Sequence, residues 1–175
     1  EISECLVGSE MCIRDSFYSF SRIWTLHRRI RREMTMIEII SGEKGKGKTK
    51  ELLNKVNTSI TSATGNIVYL DKSQKHMYEL NNKIRLINVN DFLIDNCDEF
   101  LGFICGVISQ DHDLEEMYLD SFLTIASIDS DELLNHAIQK LDVISEKYNV
   151  KFILSVSKDE SKLTDIAKAK IVISL

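Results

Sequence analysis

The 175-residue sequence contains no proline and one tryptophan, and it has no long apolar run. Without proline, its turns depend on Gly, Asn, Asp and Ser. A membrane-spanning helix needs about 20 consecutive apolar residues, and no segment approaches that length. A secretory signal is excluded as well, because the basic stretch near the amino terminus lacks an apolar core of about seven residues. We therefore expect a cytoplasmic protein that does not contact a membrane.

Positive charge and cysteine are both limited. The chain has 22 basic and 27 acidic residues and a net charge of −5, which argues against nucleic acid as a partner. Its four cysteines lack the paired spacing of metal ligands, so we expect reduced thiols rather than a disulfide framework. Cys97 and Cys105 stand among apolar residues and are expected to be core thiols. The length fits one domain with a sizeable core.

The first 35 residues differ in character from the rest. Residues 5–16 resemble, over all twelve positions, a translated reading frame of the transposon adapter used to build some DNA sequencing libraries. Residues 17–33 would then be upstream DNA translated in frame, and Arg31-Arg32 could be encoded by a ribosome-binding sequence shortly before Met36. We expect residues 1–35 to be an artefactual or untranslated leader with little structure, and residues 36–175 to be the domain.

A targeting peptide is the alternative for this leader, because residues 17–32 are rich in arginine, contain serine and lack acidic residues. A mitochondrial presequence, or a basic helix on a membrane or nucleic acid, would have such a composition. Residues 1–33 carry six Arg and five acidic residues, so the remainder has 16 basic and 22 acidic residues and a net charge of −6. Arg85 is then the only arginine of the domain.

From residue 36 onward, short β-type runs alternate with longer helical patterns. The β-branched run 36–40 comes just before Gly42, and Leu52, Leu53 and Val56 recur after it at helical spacing. Strands that alternate with helices predict an α/β domain of three layers, with a mainly parallel sheet covered on both faces. Further strands are predicted at 66–71, 84–89, 116–120, 151–156 and 171–174, and further helices at 74–80, within 91–110, at 131–148 and near 161–168.

One motif indicates a specific chemistry. Residues 42–49, Gly-Glu-Lys-Gly-Lys-Gly-Lys-Thr, satisfy the phosphate-loop pattern G-x-x-x-x-G-K-[ST] and lie between a predicted strand and a predicted helix. The glycines let the backbone approach phosphates, and successive N–H groups can surround an anion at a helix amino terminus. The motif predicts binding of ATP or another nucleoside triphosphate with Mg²⁺. A Gly/Lys-rich surface turn is the alternative, but it would not explain the register between strand and helix.

The residues of this loop have different expected roles. Lys48 is expected to reach the β- and γ-phosphates, and the Thr49 hydroxyl is expected to bind Mg²⁺. Lys46 could contribute a further positive charge near the phosphates. The other nucleotide contacts are expected from the rest of the loop and the residue that follows it: Gly42, Glu43, Lys44, Gly45, Lys46, Gly47 and Lys50.

A second Mg²⁺ contact is expected from an Asp at the end of an apolar strand. Asp71, Asp120 and Asp129 all fit this description, and we prefer Asp120 because Met117-Tyr-Leu precedes it. Lys48 and Asp120 are therefore the candidate catalytic residues. Each Asp could instead be an ordinary residue that begins a turn, and Asp71 could contact the nucleoside.

The phosphate loop and the position of Asp120 resemble the RecA-like branch of the phosphate-loop NTPases. The domain as a whole resembles small ATP-binding proteins of clostridia, some of which carry the name of the twitching-motility retraction ATPase (PilT). It lacks the acidic and histidine boxes of a pilus motor. The resemblance implies a polar residue that senses the γ-phosphate at the end of the predicted strand 151–156, here Ser155 or Ser157. Hydrolytic members of the branch commonly have a Glu after the Asp, whereas Ser121 follows here.

Three functional classes remain open. The missing Glu and the scarcity of arginine favour a slow ATPase or nucleotide-dependent switch that acts with a protein partner or as a homo-oligomer. A small-molecule kinase of the nucleoside type would need a substrate pocket or lid, and neither is evident in the sequence. A subunit that binds nucleotide structurally is the third class. His112 is expected in a solvated turn rather than in a metal site, and His76 and His136 on helix surfaces.

Overall fold

The structure is a computed structural model, and residues 36–175 are the part of the chain that it describes. The predictions for residues 1–35, namely the adapter-like stretch, the leader and the targeting peptide, lie outside the described residues. None of the helices within 36–175 combines the length and the apolar character that a membrane crossing requires.

Within residues 36–175, six strands form one sheet, and all of their pairings are parallel. Their order across the sheet is β3-β2-β4-β5-β1-β6. Most of these strands are apolar on both faces, as expected when helices cover both sides of a parallel sheet. The predicted α/β class with a mainly parallel sheet is thereby confirmed. The strands are β1 (Ile37–Ser41), β2 (Asn66–Asp71), β3 (Arg85–Asn88), β4 (Leu114–Leu119), β5 (Lys151–Val156) and β6 (Ile171–Ser174).

The helices of the described part are α1 (Lys48–Ser59), α2 (Cys97–Ser109), α3 (Phe122–Ile125), α4 (Asp131–Tyr148) and α5 (Asp165–Lys168). The β1–α1–β2 connection runs toward the β3 edge of the sheet, whereas those through α2, α4 and α5 run toward the β6 edge. Right-handed crossovers in opposite directions put their helices on opposite faces. Leu52 and Val56 of α1 accordingly pack with Ile40 and Tyr69 on one face, and the other helices pack on the second face.

The strand register brings three polar residues to one level at the carboxyl end of the sheet. Leu119 of β4 is aligned with Leu154 of β5 on one side and with Leu70 of β2 on the other. Side chains alternate between the two faces of a strand, so the residues that follow these leucines share the face covered by α1. These residues are Ser155, Asp120 and Asp71.

The prediction of a helix at 74–80 is wrong. This segment forms consecutive turns, in which the Met77 N–H donates to Gln74 O at 3.1 Å and the Glu79 N–H donates to His76 O at 3.0 Å. Seven residues are too few for a helix to be stable by itself. The segment is held instead by longer-range contacts, such as the Asn57 side-chain amide donating to Glu79 O at 2.8 Å.

The helix predicted near 161–168 is shorter than expected. A 3₁₀ turn at Glu160–Lys162 is followed by extended backbone at Leu163 and Thr164, and only then by α5. The Thr164 side chain accepts a hydrogen bond from Ala167 N as the amino-terminal cap of α5. A residue in that capping role takes extended dihedral angles, so Thr164 separates the 3₁₀ turn from α5.

Glu38 of β1 forms an ion-pair network beneath α1. Its carboxylate contacts Lys55 of α1 and Lys151 of β5, each at 2.6 Å, and its side chain is only 12% exposed. Burial acts to raise the pKa of Glu38, but the hydrogen bonds and charges of Lys151 and Lys55 lower it below its usual range. The network therefore joins α1 to two adjacent strands, β1 and β5.

We expect Glu38→Gln to lower the free energy of unfolding at pH 7 by about 1–3 kcal/mol, less than for a fully buried pair because both lysines reach solvent. The folded-state pKa of Glu38 is lowered, so its stabilising effect is present above the unfolded pKa of about 4.3 and is lost as the pH falls through the folded pKa. Urea denaturation from pH 7 to about pH 3 should show a smaller acid loss for the variant. Identical curves for both proteins would contradict this assignment.

Candidate functional site

The loop between β1 and α1 has the geometry of an anion cradle. Gly42, Gly45 and Gly47 all have positive φ angles, of 152°, 90° and 92°. Gly47 precedes α1 in the left-handed conformation and provides no side-chain cap, so the first N–H groups of this 12-residue helix face the loop. Loop residues 43–47 are exposed. Backbone N–H groups and the positive end of the helix dipole thus meet at an open surface.

Gly42 is required by close packing as well as by its φ angle. A Cβ atom at this position would lie 2.9 Å from Leu175 O, a contact that forces the backbone to shift. The Gly42 N–H donates to Lys158 O at 2.9 Å, and the Leu175 N–H donates to Ser41 O at 3.0 Å. The first residue of the loop is therefore held between the ends of β5 and β6.

Lys48, the first residue of α1, folds back across the loop. Its Nζ atom donates to Gly42 O and to Glu43 O, both at 2.8 Å, and the residue is 7% exposed. Burial lowers the pKa of Lys48, and the negative charge of Asp120 opposes this shift. The ammonium group consequently lies inside the loop, on the side that faces Asp120.

Asp120 follows the last residue of β4 and is 2% exposed. Its Oδ1 atom accepts hydrogen bonds from Ser121 N at 2.7 Å and from Ser155 Oγ at 2.6 Å. Both bonds end on Oδ1, so Oδ2 remains for a cation or a cation-bound water. Ser155 is buried and Ser157 is exposed, so of the two predicted sensor positions only Ser155 contacts Asp120.

The other two candidate Asp residues have different surroundings. Asp71 is 2% exposed at the end of β2, and burial and then the neighbouring Asp120 raise its pKa. Asp129 is exposed in the connection before α4. The structure therefore brings Asp71 and Asp120 together and leaves Asp129 at the surface.

Sequence reasoning missed two residues of this region, His76 and Tyr69. One ligand atom each of Asp71, His76 and Asp120 can be chosen so that all lie within 4.8 Å of one another. Tyr69 is fully buried, and its hydroxyl lies beside Asp120 without a hydrogen bond of standard geometry to any described residue. The only sequence signal is a histidine five positions after Asp71, in a segment that the sequence predicts to be a helix.

The remaining predicted loop residues are mostly exposed. Lys44, Lys46 and Lys50 are exposed, Thr49 is half-buried, and Glu43 forms a surface ion pair with Lys162 at 3.2 Å. Such a pair adds little stability by itself. The exposed lysines add positive charge around the anion cradle.

The arginine of the domain and two glutamates of β4 lie away from this site. Arg85 is the exposed first residue of the edge strand β3, at the end of the strand opposite the loop. Glu115 and Glu116 lie within β4 and point toward the end of α1 that is remote from the loop. Glu116 accepts from Ser59 Oγ at 2.6 Å and Glu115 accepts from the Thr64 hydroxyl.

A shallow polar groove lies at the amino ends of β2 and β4, opposite the edge of the sheet that carries the 42–49 loop. His112, Asp113, Glu115 and Tyr148 are among its lining residues. His112 is exposed in a turn, as predicted. Because the groove shares no residue with the loop, it does not belong to the candidate site.

The chain matches no protein-family model and no curated protein sequence. The assignment of a function therefore depends on the geometry of the loop and of the carboxylates beside it.

Proposed function

We propose that the protein binds a nucleoside triphosphate, ATP in the first instance, together with Mg²⁺ at the 42–49 loop. The observation that carries this proposal is the position of Lys48. Its ammonium group lies inside a glycine-rich turn at the amino terminus of α1 and faces the buried carboxylate of Asp120. A cation and a row of N–H groups at a helix amino terminus favour a phosphate chain.

The chemistry of the neighbouring side chains also suits Mg²⁺. This ion prefers oxygen ligands and keeps several waters when it binds with a nucleotide. The Thr49 hydroxyl and the Asp120 carboxylate supply such oxygens, and Oδ2 of Asp120 is not engaged by the hydrogen bonds from Ser121 and Ser155. When bound, Mg²⁺ would neutralise charge on the β- and γ-phosphates.

Calorimetric titration with ATP, ADP and adenosine, each with and without Mg²⁺, tests this proposal. We expect ATP–Mg²⁺ to bind most tightly and adenosine to bind least, because the contacts proposed here are to phosphates. Adenosine that binds as tightly as ATP would contradict the proposal. So would the absence of any ATP binding at about millimolar concentration, the upper range of enzyme KM values.

We further propose that hydrolysis is slow, as in a nucleotide-dependent switch. An arginine finger contributes about 10³–10⁵ in rate, and Arg85 lies on the far edge strand. Ser121 stands where hydrolytic relatives of the RecA-like branch carry Glu. We propose that a protein partner or a second copy of the chain supplies the missing arginine in trans.

The purified protein is expected to hydrolyse ATP at less than about one turnover per minute, against a median enzyme rate of about 10 s⁻¹. Release of inorganic phosphate under steady-state conditions measures this rate. Rapid hydrolysis without a partner would show that a catalytic base has been missed. Adding nucleosides as acceptors tests the kinase alternative, which would appear as phosphorylated nucleoside rather than free phosphate.

A further inference from the structure

Asp71 and His76 are five positions apart in the chain, and folding brings Asp120 beside them. Asp71 ends β2, Asp120 follows the neighbouring strand β4, and His76 lies in the turns after β2. One ligand atom from each residue can be chosen so that the three atoms lie within 4.8 Å of one another. Two buried carboxylates at this separation repel each other, and a cation between them would remove the repulsion.

Tyr69 gives an independent indication that this space takes a polar ligand. It lies on β2 two residues before Asp71, on the same face of the sheet. Its hydroxyl is buried and makes no hydrogen bond of standard geometry to any described residue, and the Asp120 carboxylate is the acceptor beside it. A buried hydroxyl without a partner is costly, and a metal-bound water would supply one.

His76 has the environment of a metal ligand. Its Nδ1 atom contacts Glu79 Oε1 at 2.7 Å. Histidines that bind metals commonly have one ring nitrogen held by a carboxylate, which orients the other nitrogen toward the ion. One imidazole and two carboxylates form a mixed nitrogen and oxygen set, which suits a divalent transition-metal ion better than Mg²⁺ or Ca²⁺.

We infer that Asp71, His76 and Asp120 bind one divalent transition-metal ion, such as Mn²⁺, in the absence of nucleotide. Asp120 is common to this cluster and to the proposed nucleotide Mg²⁺ site. The inference does not depend on nucleotide binding, because Asp71 and His76 are the residues that define the cluster.

Titration of the full chain with Mn²⁺, after removal of metals and without nucleotide, tests the inference. Electron paramagnetic resonance measures the free ion. We expect about one bound Mn²⁺ per chain, and a loss of affinity of at least about tenfold in His76→Ala and in Asp71→Asn. His136→Ala is the matched control, because His136 also contacts a carboxylate, Asp98, at 3.2 Å. Its Mn²⁺ affinity should equal that of the wild type.

Lys48→Ala separates this inference from the proposed function. We expect that variant to keep Mn²⁺ binding in the absence of nucleotide, even if it no longer binds ATP. Mn²⁺ affinity that is absent in the wild type, or unchanged in His76→Ala and Asp71→Asn, would overturn the inference. If these variants do not fold, the test is nuclear magnetic resonance of the wild type, in which bound Mn²⁺ broadens the ring-proton lines of nearby histidines. Broadening confined to His76 supports the site, and equal or absent broadening contradicts it.

Discussion

Replacing Lys48 by alanine is expected to abolish measurable ATP–Mg²⁺ binding and to leave the fold intact. The Nζ atom contacts only backbone carbonyls of the loop, Gly42 O and Glu43 O, so no side chain of the core loses a partner. Hydrogen bonds to charged groups contribute about 1.5–3 kcal/mol each, and about 1.4 kcal/mol corresponds to tenfold in affinity. Two such bonds to a phosphate chain predict a loss of at least about a hundredfold.

Lys140→Ala is a suitable control for this experiment. Lys140 is an exposed lysine of α4, on the face of the sheet opposite α1, so its replacement removes the same charge without touching the loop. Both variants should show wild-type circular dichroism and thermal unfolding before calorimetry with ATP–Mg²⁺. A folded Lys48→Ala protein with unchanged ATP affinity would rule out the phosphate-loop interpretation.

The elements that matched the sequence predictions are those with a strong local pattern. The predicted strands 66–71, 151–156 and 171–174 and the helix 131–148 coincide with β2, β5, β6 and α4. Each strand is an apolar run bounded by polar residues, and the helix carries an apolar stripe at helical spacing. The connection from β1 through the loop to α1 was also predictable, because strand, glycines and helix follow each other directly in the chain.

The environment of the site was less predictable, because it depends on strand order. Asp71 and Asp120 are 49 positions apart in the chain and become neighbours only because β2 pairs with β4. A histidine in a polar segment such as 74–80 gives no local sign that it will turn back toward two strand ends. The burial of Ser155 against Asp120 likewise follows from the pairing of β4 with β5. The roles proposed for these residues stay predictions.

Asp120→Asn is expected to weaken ATP–Mg²⁺ binding by about tenfold or more, and to do so more than Asp71→Asn or Asp129→Asn. Among the three, Asp120 is the carboxylate whose charge acts on Lys48, whereas Asp71 lies one strand farther from the loop and Asp129 is exposed. The Asn side chain retains an oxygen that can accept from Ser121 N and Ser155 Oγ, so the local structure should persist. What changes is the charge that attracts the cation.

Titration with metal-free ATP gives the decisive comparison for Asp120→Asn. Removal of a negative charge beside the loop should leave the affinity for metal-free ATP unchanged or increase it, because the phosphate chain is itself negative. A variant that loses affinity equally with and without Mg²⁺ would have a damaged loop rather than a lost magnesium contact. Equal effects of all three Asp variants would remove the basis for choosing Asp120. Asp71→Asn should instead retain ATP–Mg²⁺ binding and lose Mn²⁺ binding, because Asp71 belongs to the cluster with His76 and not to the loop.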